Sequence, residues 1–232
     1  MKILNRIFKN NVHKKVSYSQ CGEDLIIDFL RQWLGLTDFS YLDIGTNHPI
    51  NLNNTYYFYK LGFSGILVEP DTKIADVIKK KRPHDIFLRA AISSSHQESI
   101  SFYEMSSDTL NTTQASTAEL YEQISEHQII AKETVPNLHI NTLLEKHFPI
   151  TPPSFVSLDV EGMDLAILEA WDFNICPPPI LCIETLTYSQ NKSSRKISEI
   201  FEIMQENNYF SYADTYINTI FLHKDSWEQR IN

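Results

Sequence analysis

Residues Phe155 to Asp164 read FVSLDVEGMD, an apolar run that breaks into three carboxylates, Asp159, Glu161 and Asp164, around one glycine. Side chains alternate along a strand, so Asp159 and Glu161 share a face if the strand continues to residue 161. Unpaired like charges are costly to bury. The pattern recurs: FSYLDIG ends in Asp43, GILVEPD in Glu69 and ILCIET in Glu184. Acids gathered in a cleft need a ligand, a metal or raised pKa values. Asp159, Glu161 and Glu184 are candidates for a catalytic base, and together for a Mg²⁺ site that would orient a diol. His48, in the turn GTNHP, is a further base candidate because an imidazole titrates near neutral pH. Asp164 falls in the first turn of a following helix and reads as a dipole partner.

These residues need elements to position them. Apolar residues at helical spacing mark GEDLIIDFLRQWLG (22–35), TYYFYKLG (55–62), IADVIKKKRP (74–83), MDLAILEAW (163–171) and ISEIFEIMQENN (197–208). Buried strands are expected at 39–45, 65–71, 85–93, 153–162 and 180–185, with an edge strand at 99–105. A short strand followed by a short helix is expected within 133–147. YFSYAD (209–214) and INTIFLHK (217–224) read as an antiparallel hairpin. Residues 106–132 are polar, with a weak helix near Ala118–Ala131, and form a candidate lid or substrate loop. Strands alternating with helices predict an α/β fold: a mostly parallel seven-stranded sheet, helices on both faces and a C-terminal hairpin. In such sheets ligands bind beyond the carboxyl ends of the strands, at the topological switch point. Asp43, Glu69, Asp159 and Glu184 all fall at that edge.

The first turn, DIGTNHP, has one glycine and not the three of a dinucleotide fingerprint, so a pyrophosphate would find few close backbone amides. Glu69 follows the second strand, where an acid accepts from ribose hydroxyls. A nucleoside without phosphates suits this better. Asp43 could accept from a cationic amine. The chemistry favours S-adenosylmethionine over NAD, with a nicotinamide oxidoreductase and a non-catalytic nucleoside-binding module as the alternatives.

Composition bounds the rest. The 232 residues suffice for one sizeable domain, here residues 18–232 behind a basic arm at 1–17. A net charge of −9 disfavours nonspecific nucleic-acid binding. No apolar run reaches the ~18 residues of a membrane span. Three scattered cysteines, Cys21, Cys176 and Cys182, argue for reduced thiols and a cytoplasmic setting. The arm carries Lys2, Arg6, Lys9, Lys14 and Lys15 with no acid, and Ile3, Leu4, Ile7 and Phe8 at helical spacing. It is expected either to lie on an anionic membrane, such as the inner membrane face, or to pack on the acidic body.

YSQCGED (18–24), YLDIGTNHP (41–49), NNTYYFYKLGFSGILVEPD (53–71), AAIS (90–93), VSLDVEGMDLAIL (156–168) and CIET (182–185) together resemble the FkbM-type S-adenosylmethionine-dependent methyltransferases. The resemblance implies a Rossmann-like class I methyltransferase. Asp43, Gly45, Thr46 and Asn47, with Glu69 and Pro70, would hold the cofactor. Ala91 and Ile92 would lie against its adenine, and Gln20, Glu23 and Asp24 would belong to a stretch folded over the site. It further implies O-methylation of a hydroxyl on a sugar or glycan.

Overall fold

The computed structural model describes residues 14–187 and 194–230. A parallel run of five strands forms the body of the sheet: β1 (Ser40–Ile44), β2 (Ser64–Val68), β3 (Ile86–Leu88), β7 (Phe155–Leu158) and β8 (Ile180–Glu184). Antiparallel to them stands β10 (Asn218–His223), paired on its far side with β9 (Tyr209–Asp214). The order across the sheet is β3-β2-β1-β7-β8-β10-β9. The chain thus builds outward from β1 to β3, then returns to place β7 on the other side of β1. That reversal is the switch point.

Alternation along these strands divides two cores. Leu42, Ile44, Ile66, Val68, Val156, Leu158, Leu181 and Ile183 face one side. There they meet α5 (Ile140–His147), α6 (Asp164–Ala170) and α7 (Ser198–Glu206). Tyr41, Leu67, Phe155, Ile180 and Cys182 face the other. That side is covered by α1 (Glu23–Trp33), α2 (Tyr56–Lys60) and α3 (Thr72–Lys81), through Ile27, Leu30, Phe58 and Ile78. Expected helix positions agree with these elements to within a few residues at each end. A short C-terminal helix, α8 (Lys224–Glu228), was not anticipated.

Three expectations fail. The single strand over 85–93 is two. The Ala90 amide donates to the Leu88 carbonyl, the chain turns, and Ala91–Ser93 (β4) leaves for a second sheet. That sheet, of order β4-β6-β5, is completed by β5 (Ser99–Met105) and β6 (Ile129–His139). The weak helix near 118–131 is α4 (Ala115–Ile124), and the residues after it join the eleven-residue strand β6. Polar, alternating sequence there pairs along the whole of β5, a partner that local pattern cannot specify.

The main-sheet strand from 153 also stops early. It ends at Leu158, so Asp159 and Glu161 do not share a strand face. All three cysteines are free thiols. Among the described residues no helix is long and apolar enough to cross a membrane. Most of the basic arm, residues 1–13, lies outside the described residues. Lys15 pairs with Asp28 on α1 at 2.7 Å.

Candidate active site

A cavity of about 760 Å³ opens at the switch point, beyond the carboxyl ends of β1, β2, β7 and β8. Its floor is the turn after β1. Gly45 and Thr46 donate their amides to the Val68 carbonyl, and Asp159 donates its amide to Ile44, so the ends of three strands are tied together. Gly45 has φ +80°, the left-handed region where a side chain is strained.

Glu69 stands at the centre of one end, almost fully buried. Its Oε2 accepts from the Asn47 amide at 2.8 Å and its Oε1 from the Asp71 amide at 2.9 Å. Both amides favour the carboxylate, yet burial prevails, and the nearby Asp71 and Asp43 add to it. The pKa is pushed up to about 7. Asp71, two residues on, caps α3 by accepting from the Lys73 amide at 2.7 Å. Pro70, Ile74, Ala91, Ile92 and Phe102 make this end of the cavity apolar.

The other end is acidic. One oxygen each from Asp159, Glu161 and Glu184 lies within 4.8 Å of the others. They converge because of a turn and not a strand: Glu161 has φ +48° and Gly162 φ +91°. Burial and then the neighbouring carboxylates raise all three. Asp159 reaches about 6, even though its hydrogen bond with Glu184 favours its charged form. Glu161 and Glu184 lie well above the ordinary range. Asp164 sits just beneath, wholly buried, accepting from the Val160 amide at 3.2 Å. Burial, then Asp159, pushes it up to about 8. Like charges this close cannot all ionise, so the group shares protons at neutral pH.

His48 lines the cavity, but its geometry suits a donor. Its Nδ1 accepts the amides of Ile50 at 3.1 Å and Asn51 at 2.9 Å. The proton of the neutral ring is therefore on Nε2. That nitrogen can donate to a ligand and has no lone pair to serve as a base.

Asp43 is at the site without lining it. It shares a sheet face with Tyr41, turned away from the cavity. There its Oδ2 accepts from Asn53 Nδ2 at 3.0 Å and from the Thr55 hydroxyl at 2.7 Å. Thr46 and Asn47 line the cavity together with Gly45. Gln20 reaches it too, whereas Glu23 and Asp24 are fully buried elsewhere. Glu23 accepts from Thr215 and Asn218, and Asp24 from Ser17, Ser19 and the Tyr18 amide. They hold the flap rather than face a ligand.

The polar segment after β5 supplies walls that its sequence did not single out residue by residue. Asp108 to Thr113 line the cavity. Asn47 Nδ2 donates to the Asp108 carbonyl at 3.3 Å and Thr112 Oγ1 to the Glu161 carbonyl at 3.0 Å. Asp71, Ile74 and Phe102 were also not foreseen. Only Asp71 had a visible signal, its place at the start of a helix.

A sheet of this order, with its cavity at the switch point and an acid after the second strand, is that of a Rossmann-like class I methyltransferase. The family description "Methyltransferase FkbM domain" matches residues 43–211, more than half of the chain. The chain belongs to this FkbM-type family of S-adenosylmethionine-dependent methyltransferases. Comparison with curated proteins found no match. Among solved structures it is similar to a TehB-like SAM-dependent methyltransferase from Corynebacterium glutamicum ATCC 13032 Kitasato. The two share 9% identity at a TM-score of 0.46, over 96% of this chain and 97% of that one. It is also similar to the 1,6-didemethyltoxoflavin-N1-methyltransferase of Burkholderia thailandensis, solved with 1,6-didemethyltoxoflavin and S-adenosylhomocysteine. Here identity is 10% and the TM-score 0.41, over 95% of this chain and 86% of that one. Both scores describe a loose likeness of outline.

Proposed function

We propose that this methyltransferase methylates a hydroxyl of a sugar or glycan. The supporting observation is the two-ended cavity: an apolar end beside Glu69, and an acidic end of Asp159, Glu161 and Glu184. S-adenosylmethionine, when bound, supplies an electrophilic methyl group on a sulfonium. The residues present fit it. Glu69, fixed by two backbone amides, would accept from ribose hydroxyls. Gly45, Thr46, Asn47 and Pro70 would lie along the nucleoside, and Ala91 and Ile92 against the adenine. Asp43 would act from behind, holding the turn. Gln20 would close over the mouth.

The acidic end would take the acceptor. A hydroxyl must lose its proton at or after attack, and a partly protonated carboxylate group has a base ready near neutral pH. Asp159 or Glu184 serves, with Glu161 accepting a second hydroxyl. His48 Nε2–H would donate to the substrate. Alignment of the reactants supplies much of the rate.

A second reading rests on the spacing of those three oxygens. Hard divalent cations take such oxygen sets. Mg²⁺ there would cancel the repulsion and orient a diol. Methyl transfer abolished by EDTA and restored by Mg²⁺ establishes this reading; chelator-insensitive transfer removes it. The basic arm would hold the enzyme at an anionic membrane surface on the cytoplasmic side. Equal liposome flotation of the full chain and a 17–232 chain would exclude that.

The testing experiment is calorimetric titration of S-adenosylhomocysteine into the wild type and Glu69→Ala. Micromolar binding, weakened tenfold or more by the substitution (about 1.4 kcal/mol), is expected. Absence of binding to the wild type would overturn the cofactor assignment. Methyl-labelled cofactor with a panel of glycosides then tests the acceptor class, and label transfer confined to amines or carboxylates would refute it.

A further inference from the structure

Arg82 follows α3 and is 1% exposed. Its guanidinium has five N–H donors, and each finds an acceptor. Nε donates to Asp85 at 2.6 Å. Nη1 donates to the Pro49 carbonyl at 3.1 Å and to Asn53 Oδ1 at 3.3 Å. Nη2 donates to the hydroxyls of Tyr41 and Thr55, each at 3.1 Å. Tyr59 and Tyr41 lend ring faces to the same cation, at 4.8 and 5.5 Å from their centroids. Such burial is tolerable only because every donor is used.

These bonds sort into two sets. Asp85 and Tyr41 belong to the body of the fold: Asp85 also accepts from the Tyr41 hydroxyl at 2.7 Å and the Gly65 amide at 2.8 Å. Pro49, Asn53 and Thr55 belong to the loop between β1 and α2. That loop presents Thr46, Asn47, His48, Asn51 and Leu52 to the cavity, with φ +48° at Asn47 and +54° at Leu52. Thr55, accepting from Arg82, donates its own hydroxyl hydrogen bond to Asp43 at 2.7 Å. Asn53 joins Asp43, the Thr46 carbonyl and Arg82.

We infer that Arg82, which touches no part of the cavity, is a positioning residue for this reaction. It clamps the Thr46–Thr55 loop at Pro49, Asn53 and Thr55, and so fixes the cofactor-side backbone and the direction of His48. The inference rests on the cofactor reading above, because its readout is binding of the nucleoside at this loop. Lysine cannot replace arginine here: one ammonium cannot serve acceptors on opposite edges of a planar fork.

The test compares two matched deletions on the two sides of the guanidinium. Thr55→Val removes a loop-side bond together with the bond to Asp43, and Tyr41→Phe removes a body-side bond together with the bond to Asp85. Each is titrated with S-adenosylhomocysteine, its melting temperature is measured, and backbone hydrogen exchange is followed over residues 46–52. Thr55→Val is expected to weaken binding about tenfold and to speed exchange in the loop. Tyr41→Phe is expected to lower the melting temperature by a similar amount with binding unchanged and loop exchange as in the wild type. Arg82→Lys should reproduce the Thr55→Val pattern more strongly. Equal binding losses in Thr55→Val and Tyr41→Phe, or melting losses without any change in binding, would reduce Arg82 to a structural role. Absence of binding in the wild type would instead refute the cofactor reading, so the two failures are distinct.

Discussion

Gly45 and Asp159 meet backbone to backbone: a Cβ on Gly45 would lie 1.8 Å from the Asp159 carbonyl oxygen. The turn after β1 and the first catalytic candidate after β7 are thus held in register by the absence of one methyl group. Gly45→Ala introduces both that clash and a left-handed alanine. Such overpacking and strain together cost about 3 kcal/mol. Urea unfolding should show a loss of that order, and S-adenosylhomocysteine binding should fall with it. A variant with wild-type stability and affinity would contradict the contact.

Stability should decline as pH rises from about 4 to about 8. Glu69, Asp159 and Asp164 have folded pKa values of about 7, about 6 and about 8, above their ordinary values of 4.5, 3.8 and 3.8. A group with a raised folded pKa holds its proton more tightly in the native state. Its contribution is complete below the unfolded pKa and drains away as pH rises through the folded one. Each group costs up to about 1.4 kcal/mol per pH unit between its two values. Glu23 and Asp28, whose hydrogen bonds outweigh burial and lower their pKa values, act in the opposite sense and only under acidic conditions. The melting temperature should therefore be higher near pH 6 than near pH 8.5. Asp164→Asn keeps an oxygen for the Val160 amide and should flatten the decline. A wild-type melting curve indifferent to pH over that range would refute this.

Cofactor-side binding should carry the same signature in reverse. Glu69 accepts hydrogen bonds from hydroxyls most strongly when ionised, and in the free protein it is half-protonated at about pH 7. S-adenosylhomocysteine affinity should rise from pH 6 to pH 8, with a slope approaching tenfold per unit at the acid end. Calorimetry across that range on the wild type and Glu69→Gln checks it. The glutamine variant should bind weakly and without pH dependence. Parallel profiles for the two proteins would assign the titration to another group.

Glu184→Gln separates the two ends of the cavity. Loss of a general base costs about 10²- to 10⁴-fold in rate. Methyl transfer should fall by that order, while S-adenosylhomocysteine affinity stays within about threefold. Single-turnover assays beside binding titrations give both numbers. A large loss of affinity with the rate intact would place Glu184 on the cofactor side.

Much of the frame was legible in sequence because its signals are local. FSYLDIG, GILVEPD and ILCIET are short apolar runs bounded by polar residues, and TYYFYKLG and ISEIFEIMQENN carry a helical stripe. Strand 85–93 misled because Leu88 and Ala91 are both apolar. Nothing in the pattern shows that the chain turns between them and changes sheet. The segment after Met105 misled because β6 is stabilised by pairing with β5 and not by its own composition. In the site, Glu69 was legible from its place after the second strand. The part played by Asp43 was not, because strand parity turns it to the face away from the cavity.

By itself the sequence determined which residues could do chemistry: carboxylates at the ends of apolar runs, one glycine in the first turn, and an ordered set of motifs shared with a methyltransferase family. These depend on neighbours along the chain, and local order preserves them. Only the tertiary structure decided how the acids meet. Asp159, Glu161 and Glu184 converge because β7 stops at Leu158, Glu161 enters a left-handed turn, and β8 pairs beside β7. Only it brought two backbone amides onto His48 Nδ1 and joined buried Arg82 to the loop after β1. Such contacts link β1, the end of α3 and the loop after β1, at separations along the chain that no spacing rule encodes.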